Sequence, residues 1–308
     1  MRFQTVTGPV PVEQVMVADA HAHAWIVPPE GVPAESRLEL NDYNAIRAEL
    51  SDFRAAGGTT LVDCQPGGCG RDATRLLDLA RATGLHITAT TGFHQRKYYP
   101  PDSWLWSAPV ENAAAYFVEE LTTGMVETGD TVPATTIKVG YDGVIEGQPR
   151  VLMEAAAAAS RQTGALILFH TERGLNVEAL VPFFTDQGVA ANRLYLCHVD
   201  KRPDVGLHRE LEQAGVLLGY DTFDRPKYDP ERGVWPLLRT LVADGLGAHI
   251  AVGLDMAITS MWKHYGGRVG MLFLPHKIVA RLRTEGFPEP IIRQLTAHNI
   301  ASRLVATT

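Results

Sequence analysis

Two histidines one residue apart, His21 and His23 in VADAHAH, follow directly on an apolar run at residues 15–18 and Asp19. In an extended strand, residues i and i+2 share a face, so these imidazoles project side by side. Two imidazoles aimed at one point form half of a metal site. An isolated HxH pair is weak, because polar residues are common at strand ends. Later apolar runs add to it: ALILFH ends in His170, RLYLCH in His198 and HIAVGLD in Asp255, and TTIKV carries Lys138. Any one of these residues reads as structural. Four histidines and an aspartate at successive strand ends read together as a metal centre.

Lys138 is the odd member. Flanked by Ile137 and Val139, it points opposite to its apolar neighbours, into the interior. An ammonium buried beside metal cations is costly. A neutral amine there can add carbon dioxide and become a carbamate, a carboxylate-like group able to bridge two metals. The competing reading is a lysine paired with a carboxylate.

The elements that must position these groups alternate along the whole chain. Strands are expected at residues 15–18 leading into His21 and His23, then at 59–65, 85–91, 135–139, 165–170, 193–198, 216–221 and 249–255. Helices are expected at 41–56, 71–83, 110–127, 148–163, 175–187, 203–214, 230–244, 274–285 and 289–305, several closed by glycine. Eight strands alternating with helices point to an α/β protein of the (β/α)8 or TIM-barrel type, a parallel eight-stranded barrel with its active site at the C-terminal strand ends. A doubly wound open sheet is the alternative, but no glycine-rich phosphate or dinucleotide fingerprint follows any strand. With no low-complexity linker, residues 1–308 read as one domain.

Composition narrows the classes. The 308 residues are 45% hydrophobic and 20% charged, enough for a large core. A net charge of −7 disfavours a broad nucleic-acid surface. Three cysteines, Cys64, Cys69 and Cys197, show no disulfide framework and suit a reducing compartment. No run approaches 18 apolar residues. The expectation is a soluble, cytoplasmic protein acting on a small molecule, with no nucleic-acid or membrane partner; a homodimer stays open.

HAH, TIKVG, LFHTE, LCHVD and GLD, in this order and spacing, resemble the phosphotriesterase-like family of the amidohydrolase superfamily, and LVDCQPGGCGRDATRLLDLARATGLHITATTGFH resembles it too. The resemblance spans residues 15–305. It implies a distorted (β/α)8 barrel holding two divalent metals, with zinc the simplest choice and manganese, cobalt or iron(II) the others. By position it implies His21, His23 and Asp255 as ligands of the more buried ion, His170 and His198 as ligands of the more exposed ion, and an N6-carboxylated Lys138 bridging both. It further implies Asp255 as the catalytic group that accepts the proton of the attacking water and then returns it.

Substrate choice falls to the loops. After the third strand come His94, Arg96, Lys97 and Tyr98; after the seventh, Arg225, Lys227 and Tyr228; after the eighth, Lys263 and His264. His94, Tyr98, Arg225, Lys227, Tyr228, Lys263 and His264 are the expected substrate-binding residues. The basic ones, on an acidic protein, suggest an anionic substrate group. FDRPKYDPE and WKHYGG resemble members that open phosphorylated sugar lactones. Those members carry an arginine shortly after the strand-eight aspartate, where this chain has Ile258 or its neighbours. The expected activity is hydrolysis of a small lactone; phosphotriester hydrolysis and hydrolysis of amides or N-acyl amino acids are the alternatives the same site allows.

Overall fold

Alternating apolar and amphipathic stretches resolve into parallel strands wrapped by helices; the computed structural model describes residues 1–307. The chain starts with an antiparallel hairpin, β1 (Arg2–Thr5) and β2 (Gly8–Pro11). Then follow β3 (Ala18–Ala22), α1 (Tyr43–Ala55), β4 (Thr60–Asp63), α2 (Ala73–Thr83), β5 (His86–Thr88), β6 (Thr90–Phe93), α3 (Val110–Thr122) and β7 (Thr136–Tyr141). After these come α4 (Gly147–Thr163), β8 (Leu166–Thr171), α5 (Leu180–Thr185), β9 (Leu194–Cys197), α6 (Val205–Gln213), β10 (Leu217–Tyr220), α7 (Val234–Ala243) and β11 (Ile250–Val252). Three short helices close the chain: α8 (Ala280–Thr284), α9 (Glu289–Arg293) and α10 (Asn299–Leu304).

Local chemistry sets the boundaries. Asp42 caps α1 by accepting the backbone N–H groups of Asn44 and Ala45, and Asp72 and Asp204 cap α2 and α6 in the same way. Gly84 and Gly164 end α2 and α4 in the left-handed conformation. π-helical turns at Leu274–Val279, leading into α8, and at Gln294–His298, between α9 and α10, stand where regular helix was expected.

Six parallel strands run in the order β6 to β11, and β3, β4 and β5 form a second parallel set. β5 pairs with β4 and β6 pairs with β7, so β5 and β6 are one barrel strand broken at Ala89, whose oxygen accepts from Thr135 N at 2.8 Å. The sequence reads this segment as unbroken; the break lets its two halves follow neighbours on a curved surface. The far seam is stitched by Asp255 N donating to His21 O at 2.9 Å. Asp19 Oδ1 accepts from both His21 N and Leu254 N. These bonds join the last strand to the first and leave no place for an open doubly wound sheet.

Period-two alternation divides the core. Leu166 and Leu168 pack inside the barrel with Ala20, Val62, Tyr195, Cys197 and Leu217, whereas Ile167 and Phe169 face the helices. All are fully buried, and cutting Leu168 to alanine is expected to cost about 2–5 kcal/mol. The N-terminal hairpin, absent from the sequence expectation, adds Phe3 and Val10 to the inner cluster. Val6 N bonds Ile87 O and Gln4 O accepts from Thr135 Oγ1, which fixes the hairpin at the end where strands begin. The opposite end carries the polar strand termini.

Candidate metal centre

Six side chains from five strands or strand ends meet at that end. His21 lies on β3 and His23 just past it, their ring centroids 5.3 Å apart. His198 follows β9 and stacks on His21 at 4.5 Å, and His170 on β8 stands 4.8 Å from His198. Asp255, beyond β11, brings Oδ1 within 3.6 Å of His23 Nε2 and 3.8 Å of His21 Nε2, and Oδ2 within 3.8 Å of His198 Nδ1. His198 and Asp255 adopt left-handed backbone conformations, with φ of +64° and +48°. For non-glycine residues this is strained, and such strain gathers at functional sites.

Lys138 on β7 is completely buried, and its Nζ stands 3.5 Å from His21 Nε2. No carboxylate lies within ion-pair distance of it among the described residues, so the competing expectation of a paired lysine does not describe this structure. Gly92, opposite it in register at φ +95°, has no room for a side chain: a Cβ there would lie 2.1 Å from Lys138 O.

The donor set fits divalent metal. The ligand atoms of His21, His23 and Asp255 all lie within 4.8 Å of one another. His170 Nε2 is buried without a hydrogen-bond partner, the Glu172 carboxylate standing off at 3.6 Å, and a buried nitrogen left this way is costly unless it binds another group. Imidazole and carboxylate are ligands for borderline first-row ions.

Two residues outside the sequence-derived set hold the imidazoles in place. Asp221, following β10, places Oδ2 3.1 Å from His21 Nδ1 and Oδ1 2.8 Å from His198 Nδ1. Those separations are hydrogen bonds, so one carboxylate orients two histidines through Nδ1 and leaves Nε2 for other work. Gln65 Oε1 does the same for His23 Nδ1 at 3.1 Å, while its amide nitrogen donates to Cys69 O. Asp221 was within reach of the sequence argument, since it ends the seventh apolar run just as His170 and His198 end theirs.

Electrostatics separate the groups. Burial alone would raise the Asp255 carboxyl, but His198, His23, His21 and Arg225 outweigh it and hold it well below the usual carboxylate range. Burial pushes His198 well down and takes His170 to about 4, with the charges of Lys138 and Lys201 adding to the effect on His170. His21 moves the other way, to about 10, because Cys64 and Asp221 overcome its burial. His94 is lowered well below the usual range by burial and by the neighbouring His170 and Lys138.

A cleft of about 120 Å³ opens over the centre. Its floor is His23, His170, His198 and Asp255, and one wall is the apolar set Ile26, Pro28, Val32 and Leu38. Of the seven residues expected to meet substrate, His94 and Tyr98 line this cleft. Arg225 instead donates to Asp255, to Oδ2 at 3.0 Å and to its backbone oxygen. Lys227 and Tyr228 pack together, Nζ 4.8 Å from the ring, with Lys201 on the same ring at 5.4 Å. Lys263 and His264 are not brought to the cleft: Asp52 on α1 accepts from Lys263 Nζ at 2.8 Å and faces His264 Nε2 at 3.0 Å, and Glu49 accepts the His264 and Met271 backbone N–H groups. Arg96 is spent on the carbonyls of Tyr99, Pro100 and Pro101.

Residues 1–303 match the model of the phosphotriesterase family. The chain belongs to the phosphotriesterase family. Across 317 aligned residues it is 28% identical to a phospho-furanose lactonase of Mycoplasmopsis synoviae, covering 96% of this chain and 89% of that one. Its fold superposes on a lactonase from Listeria monocytogenes with a TM-score of 0.93, at 23% identity and with both chains fully covered. It also superposes on an amidohydrolase from Mycoplasma synoviae with a TM-score of 0.91, at 27% identity, covering 99% and 92% of the two chains. The barrel fold is that of the family, and the protein is a metal-dependent hydrolase of the lactonase or phosphotriesterase-like kind. Among the described residues no helix is long and apolar enough to cross a membrane.

Proposed function

We propose that this hydrolase is binuclear and opens a small lactone bearing an anionic substituent. The observation that carries the reading is the wholly buried, unpaired Lys138 amine set among His21 and the other histidines. As a carbamate, Lys138 would bridge two ions, with His21, His23 and Asp255 on one and His170 and His198 on the other. When bound, such ions polarise the electrophilic oxygen and make water a nucleophile at neutral pH. Asp255, held ionised, accepts the proton of the attacking water. As the ring C–O bond breaks, it returns that proton to the departing alkoxide, giving the hydroxy acid. Arg225 restrains Asp255 in that role through its two hydrogen bonds.

The anionic substituent is supported by Lys201 and Lys227, which share the Tyr228 ring and have no ion-pair partner within 4 Å among the described residues. The name of the Mycoplasmopsis synoviae relative supports a lactone with an acidic group. The apolar wall at Ile26 and Leu38 would take the remainder of the ring.

The test uses protein prepared with zinc and bicarbonate and assayed for metal content. The substrates are lactones with and without a carboxylate or phosphate, N-acyl amino acids and an aryl phosphotriester. Two ions per chain and the highest kcat/KM on anionic lactones are expected. Full activity at one ion per chain would sink the binuclear reading, and a higher kcat/KM on amides or phosphotriesters would sink the lactonase one.

A further inference from the structure

Building on the proposed lactone hydrolysis, we infer that His94 is a tautomer-locked hydrogen-bond donor to the oxygen that turns negative when the electrophilic centre is attacked. The backbone N–H of Gln95 donates to His94 Nδ1 at 2.7 Å. A nitrogen accepting that bond uses its lone pair and carries no proton, so the ring proton resides on Nε2. Nε2 meets no acceptor among the described residues, and the ring lines the cleft beside His170, their centroids 4.8 Å apart. His94 is therefore configured to give a hydrogen bond into the cleft and not to receive a proton there, which complements the carboxylate of Asp255.

The orientation is fixed from several sides. Tyr99 Oη accepts the His94 backbone N–H at 3.0 Å, and the Tyr98 ring meets the imidazole edge-on at 4.6 Å. On β7, a side chain at Gly140 would come within 2.5 Å of Gln95 N and His94 C, so the bare strand backbone presses against this turn. A donor fixed before the substrate arrives needs no reorganisation as charge develops, which is where such groups act most strongly.

Three measurements test this on metal-loaded enzyme: histidine ¹⁵N NMR, bound-metal content, and kcat with KM for wild type, His94→Phe and His94→Gln. The His94 signals, assigned by their loss in the variants, should show the Nε2–H tautomer. His94→Phe keeps a ring of similar shape and removes the donor, so kcat should fall about 100-fold with KM and metal content near wild type. His94→Gln, which restores an N–H donor, should regain about tenfold of that loss. An Nδ1–H tautomer overturns the inference. So does a rise in KM at unchanged kcat, a loss of metal in His94→Phe, or a glutamine variant no better than phenylalanine. If wild type cleaves an aryl phosphotriester and no lactone, the lactonase reading falls alone. The same comparison then decides the role of His94 on the phosphoryl oxygen.

Discussion

Arg225 donates from Nη2 both to Oδ2 of Asp255, at 3.0 Å, and to the backbone oxygen of the same residue, where the chain leaves the last barrel strand at φ +48°. One guanidinium thus steadies both the carboxylate and the strained turn that presents it. Arg225→Ala should lower metal affinity and kcat by about 10- to 100-fold. Arg225→Lys should recover little, because an ammonium lacks the planar set of donors. Chelator competition and steady-state kinetics check this, and a pure KM effect on acidic substrates would return Arg225 to the substrate-binding role expected from sequence.

Asp221 touches two histidines that belong, in the proposed arrangement, to different ions. Asp221→Asn retains one acceptor oxygen and so can orient only one of them. Metal titration should show weakened binding of both ions, by about 10- to 100-fold, with one site affected more than the other. Equal, undiminished affinities would mean that the hydrogen bonds from Nδ1 do not tune the ligands.

The basic residues of the loops fall into two groups that a single experiment separates. Lys263 is tied to Asp52 on an exposed surface, so Lys263→Ala should leave KM unchanged for acidic and neutral substrates alike. Lys201→Ala and Lys227→Ala should raise KM for an acidic lactone about tenfold and leave a neutral one nearly untouched. A selective KM effect at Lys263 would show that its bond to Asp52 opens on binding.

Much of this was legible from the chain because barrel strands place function where hydrophobicity stops. The alternation around Ile137 and Val139 sufficed to send Lys138 inward, and strand ends sufficed to expect His170, His198 and Asp255 at one end of the barrel, where the structure brings them together. What stayed hidden depends on partners far away in sequence. Lys263 looks like a free loop cation until folding brings in Asp52, 211 residues earlier. Gln65 gains meaning only when His23 packs against it. The GPVP strand of the N-terminal hairpin reads as loop because two of its four residues are proline, and its pairing with Arg2–Thr5 is what makes it a strand.

Glu212 on α6 makes stability depend on pH. It is buried, both carboxylate oxygens lack hydrogen-bond partners, and burial with Asp244 nearby raises its carboxyl to about 8. The folded state therefore holds a proton that the unfolded state releases near the ordinary glutamate value. This contribution is fully present below about 4.5 and is lost progressively as pH rises through about 8. Glu212→Gln should raise the melting temperature at pH 9 relative to wild type and change it little at pH 5. Parallel pH profiles for the two proteins would show that water or a shifted partner satisfies the carboxylate.

Lys138 tests the centre at its most specific residue. An ammonium cannot ligate a cation, so in the proposed arrangement the lysine serves metal by carrying a carboxylate on Nζ. Lys138→Ala should lose most bound metal and most activity. Lys138→Arg should fail equally, since guanidinium keeps its charge and cannot become the bridge. Lys138→Glu supplies a carboxylate on a shorter arm and should retain part of the metal. The discriminating measurement is rescue: a short carboxylic acid added to Lys138→Ala fits the vacated space and should restore metal binding and a fraction of kcat in a saturable way. Mass spectrometry of native wild-type protein should show an added carboxyl group that bicarbonate favours and acid removes. Saturable rescue in Lys138→Ala with no response in Lys138→Arg, where the cation still fills the space, would tie the function of this side chain to a bridging carboxylate. Full activity of an unmodified lysine would refute it.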